Sequence, residues 1–90
     1  MSYKIIYTKD ALNDLKKLDQ CVSHRIIIKI DFWAQQENPL HFAKPLKGLT
    51  PARYRFRVGD YRIIFSIGEK EEISVLFILM IKHRREIYRI

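Results

Sequence analysis

Four arginines crowd one short stretch of the chain, ARYRFRVGDYRIIF at residues 52–65. Arg53, Arg55 and Arg57 fall at every second position, and Arg62 follows Gly59–Asp60, a pair suited to a two-residue hairpin turn. Alternation by two puts the first three on one face of a β-strand. A two-residue turn then fixes the register: Val58 opposes Tyr61, Arg57 opposes Arg62, Arg55 stands beside Ile64 and Arg53 beside Ser66. Like charges directly opposed in an antiparallel pair destabilise it by a few tenths to ~1 kcal/mol. No obvious carboxylate neutralises either Arg57 or Arg62, so deleting Arg62 is expected to raise, or at least not lower, stability while harming function. The guanidinium is a planar, permanently charged donor fork suited to bidentate grip on phosphate. The chemistry expected of this face is binding an anion and stabilising charge that develops on it.

The rest of the composition agrees. The chain has 90 residues and a net charge of +7, with a pI near 9.8, which fits a protein that meets phosphate or an acidic partner. The charges are segregated: lysines 4, 9, 16, 17, 29, 44 and 47 precede Gly48, whereas every arginine except Arg25 follows Pro51. A hydrophobic fraction of 48% supports a packed core and argues against disorder. The longest apolar run, Ile73 to Ile81 around Ser74, is far short of the ~20 residues of a membrane span, and no apolar segment follows Lys4 as in an export signal. Cys21 is the only cysteine, and no Cys/His cluster has metal-ligand spacing. One domain spanning 1–90, in a reducing cytoplasm, with neither metal nor cofactor, is the expectation.

These arginines need a scaffold. Residues 3–7, YKIIY, read as a strand, and Thr8 offers an N-cap for a helix with Ala11, Leu12, Leu15 and Leu18 on one face. A second helix from about 21 to 36 buries Val22, Ile26, Ile30 and Trp33. Asn38–Pro39 ends it, and the stretch to Pro51 reads as a loop. The period then changes to 2 for the arginine strand, whose Tyr54 and Phe56, with Ile63 and Phe65 of the next strand, face the helices. That strand runs from Tyr61 to Ile67, a turn falls around Gly68 to Lys70, and the apolar run from Ile73 to Ile81 reads as a strand covered on both faces. The order β-α-α-β-β-β predicts an α+β domain, an antiparallel sheet with an N-terminal helical hairpin packed on one face.

The run LKGLTPARYRFRVGDYRIIF, then an apolar strand, then KHRREIY at the C-terminus resembles the RelE/ParE toxin superfamily, specifically its RelE-type mRNA endonuclease branch. The resemblance covers essentially the whole chain. It implies the RelE-like fold and the toxin of a type II toxin–antitoxin module, an enzyme that cleaves mRNA in the ribosomal A site. The 2′-hydroxyl attacks the adjacent phosphate without a metal ion. The implied partners are a cognate antitoxin, the ribosome with its rRNA, and mRNA.

Carried over residue by residue, the resemblance implies catalytic roles for Arg55, Arg57, Arg62, Arg84 and Tyr88. Some family members have lysines where this chain has Arg55 and Arg57. A guanidinium does not give up its proton near neutrality, so these two are expected to stabilise charge. His83 resembles a histidine that some members carry before the arginine, and histidine is the one residue type of this cluster whose ordinary range lies near pH 7. Lys44, Lys47, Arg53 and Arg85 extend the basic edge toward RNA phosphates. Two other functions suit the same fold: a ParE-like DNA gyrase inhibitor without nuclease chemistry, and an inert homologue whose arginines serve only to bind an acidic antitoxin.

Overall fold

The computed structural model describes residues 3–48 and 52–87, with side chains through Arg85. β1 (Lys4–Tyr7) leads into α1 (Lys9–Lys16) and α2 (Gln20–Ala34). A 3-10 turn (Pro39–Phe42) precedes β2 (Lys44–Leu46), β3 (Arg53–Val58), β4 (Tyr61–Lys70), β5 (Ile73–His83) and a short α3 (Arg84–Ile87). The strands form one sheet in the order β1-β5-β4-β3-β2.

The α+β class and the order of the main elements agree with the sequence expectation, and the sheet differs from it first in two pairings. β1 pairs with β5 in parallel, so the sheet is mixed; the remaining pairs are antiparallel. β2 arises in the stretch read as loop and pairs with β3, Lys44 opposite Arg55 and Leu46 opposite Arg53. Pro45 made that stretch look non-extended, yet an edge strand tolerates proline because its outer side needs no donor. Thr50 and Pro51 lie outside the described residues.

Thr8 caps α1 as expected, its Oγ1 accepting from Ala11 N at 3.2 Å. Ala11 and Leu15 are buried, but Leu12 is 45% exposed, and the buried Asp14 takes a place on the inward side. α2 buries Ile26, Ile30 and Trp33. Trp33, Phe56 and Phe65 stack in succession, with ring centroids 4.3 Å and 4.1 Å apart. That stack joins α2 to β3 and β4 and confirms which face of the hairpin is covered. The core cluster takes Phe56, Val58, Ile63, Phe65, Leu76, Ile78 and Ile81 from the sheet. Ile64 and Val75 are buried outside that cluster, on the other face.

A bulge resets the faces of β5 part-way along its length. Ile64 pairs with Met80 while Phe65 pairs with Ile78, so Leu79 is an extra residue. Leu76 and Ile78 therefore face the helices on one side of it, and Ile81 does so on the other. α1's cap holds the bulge: Thr8 N donates to Ile78 O and Thr8 Oγ1 to Leu79 O, each at 3.0 Å.

The β4–β5 turn is Glu71–Glu72, not Gly68–Lys70, because Lys70 pairs with Ile73. Gly68 lies inside β4, where a Cβ would come within 3.1 Å of the Phe77 ring. Glu71 and Glu72 sit at φ +53° and +67°, the pattern of a type I′ turn that favours Asn-Gly. Each left-handed non-glycine residue costs on the order of 1 kcal/mol. Glu71→Asn combined with Glu72→Gly is expected to stabilise the fold by about 1–2 kcal/mol, read as a higher urea midpoint at unchanged slope.

Tyr7, on β1, has its hydroxyl buried without a partner among the described residues. Burial, with the Asp31 carboxylate adding to it, pushes this phenol up to about 12. The folded state therefore holds the proton more tightly than the unfolded chain, in which tyrosine titrates near 10. The associated stability is complete below pH ~10 and is lost as pH climbs toward 12. Tyr7→Phe is expected to raise stability by about 1 kcal/mol at neutral pH, since an unsatisfied hydroxyl disappears. It should also flatten the alkaline decline, which urea midpoints taken across that range will show.

Candidate functional site

The β3–β4 register is the one the turn dictates. Val58 faces Tyr61, Arg57 faces Arg62, Arg55 faces Ile64 and Tyr54 faces Phe65. Only Gly59 of the two turn residues has a positive φ, +57°, as a type II′ turn requires. The next strand continues the row, because Arg62 faces Lys82 of β5. Three cations, Arg57, Arg62 and Lys82, thus stand side by side on the face without helices. Arg55 lies one row away on the same face, opposite Lys44 on its outer side. Arg53 and Leu46 form the row after that.

The row is held by acceptors. Arg57 Nε and Arg62 Nη1 both donate to Gly59 O, at 3.4 Å and 3.2 Å, and Arg62 Nη1 also reaches Tyr61 O at 3.4 Å. Arg62 is almost fully buried, whereas Arg57 is exposed. Lys82 Nζ lies 3.1 Å from Asp14 Oδ1. Arg84, the first residue of α3, joins the same turn: its backbone N donates to Asp60 O at 2.6 Å, and its guanidinium stands 4.0 Å from the Asp60 carboxylate. One hairpin turn thereby gathers Arg57, Arg62 and Arg84.

His83 falls elsewhere. It pairs with Tyr61, their rings edge-to-face at 5.4 Å, in the row that continues Val58. By register this is the face that the helices cover, at its open end. His83 Nδ1 accepts from Arg85 N at 3.2 Å, which places the proton of the neutral ring on Nε2. A cavity of about 80 Å³ lies beside it, bounded by Asp14, Lys17, Tyr61, Lys82 and His83 among others.

A family model described as ParE toxin of the type II toxin–antitoxin system parDE matches residues 5–88. The chain belongs to the RelE/ParE superfamily of type II toxin–antitoxin toxins. It is 30% identical to Toxin RelG of Mycobacterium tuberculosis over 89 residues, 99% of either chain. The toxin–antitoxin complex RelBE2 from the same organism contains a similar chain, with a TM-score of 0.72 and 28% identity, covering 93% of this chain and 100% of that one. A chain of the archaeal RelE–RelB complex from Pyrococcus horikoshii OT3 is similar at a TM-score of 0.70 and 29% identity, covering 93% of this chain and 97% of its own.

Among the residues assigned to a RelE/ParE site from sequence, the fold brings together Arg57, Arg62 and Arg84, with Arg55 adjacent. Lys44 and Arg53 extend this face through β2 and β3. Lys47 is exposed just beyond β2, and Arg85 is exposed in α3. Tyr88 lies outside the described residues. Lys82 was missed. Strict alternation from Ile73 would have set it with Leu76 and Ile78 toward the helices, and only the bulge at Leu79 turns it to the arginine face. No group of three or more His, Cys, Asp or Glu side chains among the described residues is placed to hold a metal ion.

Proposed function

We propose that this chain is a ribosome-dependent endoribonuclease, a single toxin domain that inhibits translation in the cytoplasm by cleaving mRNA in the ribosomal A site. The observation that carries the reading is the row Arg57–Arg62–Lys82 on the helix-free face, with Arg55 beside it and Arg84 at its end. In the reaction the mRNA 2′-oxygen attacks the adjacent phosphorus as a base takes its proton. The bond to the 5′-oxygen breaks, and an acid protonates that leaving oxygen, leaving a 2′,3′-cyclic phosphate and a 5′-hydroxyl. The transition state gathers negative charge on the phosphate oxygens, where fixed cations act most strongly. Arg55, Arg57, Arg62, Lys82 and Arg84 supply that charge; Tyr88 is the proposed proton-transfer group, His83 standing with Tyr61 on the helix-covered side. Lys44, Lys47, Arg53 and Arg85 contact flanking RNA phosphates.

The nucleophile is internal to the RNA, so no metal-bound water is called for. Cleavage is expected to persist in excess EDTA, apart from the magnesium that keeps ribosomes assembled. A ribosome-free assay on a sensitive RNA isolates the point: abolition by EDTA with rescue by a divalent cation overturns it. The overall reading is tested by incubating the purified protein with programmed ribosomes and mapping mRNA ends by primer extension. New ends within the A-site codon support it.

Solved relatives are toxin–antitoxin complexes, which supports a cognate antitoxin that covers the basic face with acidic side chains and offsets the +7 charge. Co-expression with the adjacent small reading frame should restore growth that the toxin alone arrests. The family model's ParE description favours a second reading, a DNA gyrase inhibitor without nuclease activity. Inhibition of supercoiling with intact mRNA on programmed ribosomes would select it.

A further inference from the structure

Lys82, opposite Arg62 in the register, lies where Thr8 and Asp14 make four hydrogen bonds with the end of β5. β1 pairs with β5 only from Val75 to Ile78, so the residues beyond present an open edge to α1. Thr8 ties down the carbonyls of Ile78 and Leu79 at the bulge. One turn and a half later along the helix, Asp14 Oδ2 accepts from Ile81 N at 2.9 Å, and its Oδ1 accepts from Lys82 Nζ at 3.1 Å. Asp14 is 8% exposed, and with one oxygen fixed by the backbone its carboxylate cannot rotate away.

We infer that Asp14 is a positioning residue of the candidate nuclease site, acting through Lys82 to hold a third cation in register with Arg57 and Arg62. The physical need is specific to that place. A lysine side chain has many rotamers to lose when it is fixed, and the neighbouring guanidinium of Arg62 repels it. Left alone, the ammonium would sample solvent; paired with a rigid carboxylate, it stays at the sheet edge with two further N–H donors for an RNA phosphate. Asp14 itself is expected to touch neither RNA nor the reacting atoms.

The inference rests on the nuclease reading, and a double-mutant cycle separates the two. Asp14→Asn keeps an oxygen for Ile81 N and removes the charge; Lys82→Met keeps the stem and removes the ammonium. Single-turnover mRNA cleavage on programmed ribosomes should fall on the order of tenfold in Asp14→Asn, chiefly in kcat. The same change introduced into Lys82→Met should add little, since coupled neighbours are non-additive. An equal further loss in the Lys82→Met background would show that Asp14 acts through the fold, and would overturn the inference while leaving the nuclease reading intact. A wild type that cleaves no RNA overturns the reading itself. If Asp14→Asn does not fold, the wild type still decides: the ¹⁵N signal of the Lys82 ammonium should show restricted motion that loosens when the Asp14 carboxylate is protonated by acid. A freely rotating ammonium at neutral pH sinks the proposal.

Discussion

Arg57→Ala and Arg62→Ala are each expected to slow single-turnover cleavage by about 10²–10³-fold, the loss seen when one donor aimed at developing charge is removed. Their effects on folding should diverge. Arg57 is exposed, and its side-chain hydrogen bond to Gly59 O is long at 3.4 Å. Its removal relieves repulsion across the pair, so stability should hold or rise by up to ~1 kcal/mol. Arg62 is 9% exposed and bonded to the carbonyls of Gly59 and Tyr61. Truncating it empties a packed stem and strips two acceptors, which together outweigh the relief, and a net loss of about 1–2 kcal/mol is expected. Urea midpoints and cleavage rates measured side by side on both variants check this. A stable, fully active Arg57→Ala would show that the row does no chemistry.

The loss expected of Arg62→Ala is opposite to what the sequence alone implied, and the reason is physical. The hairpin register was legible because a two-residue turn and strict alternation leave no freedom: Arg57 opposite Arg62 followed from Gly59–Asp60 alone. The acceptors at Gly59 O and Tyr61 O were not legible, because they are backbone carbonyls, which any sequence possesses.

β5 shows the opposite situation. Its residues are apolar on both faces, so the sequence carries no period from which to read a bulge, and one extra residue at Leu79 inverts every side chain after it. His83 was grouped with the arginines because it precedes Arg84 in the chain, yet the sheet sets it beside Tyr61 and gives the row to Lys82. The signal that could have found Lys82 lies on α1. Asp14 is a charged residue on the helix's otherwise apolar face with Ala11 and Leu15, and a buried carboxylate needs a cation or N–H nearby. Leu12 masked that signal by offering a more apolar face, one that the fold leaves exposed.

Phe56→Ala is expected to produce the largest loss of stability, about 3–5 kcal/mol, because it opens a cavity in a stack that has no slack. Phe56 is wholly buried between Trp33 and Phe65, with parallel rings on either side. Small domains have only about 5–15 kcal/mol in total, so this variant should be substantially unfolded under mild denaturant. The consequence for function differs in kind from that of the arginine variants. Arg55 and Arg57 leave the same strand on the opposite face, held by ladder bonds to β4 that do not involve the Phe56 ring. Cleavage by Phe56→Ala should therefore track the folded fraction and return toward wild type as cooling or osmolyte restores folding. Arg57→Ala should stay slow however well it folds. The two variants together separate the face that builds the sheet from the face that meets RNA. An unchanged urea midpoint in Phe56→Ala would show that the aromatic stack is not the core of this fold.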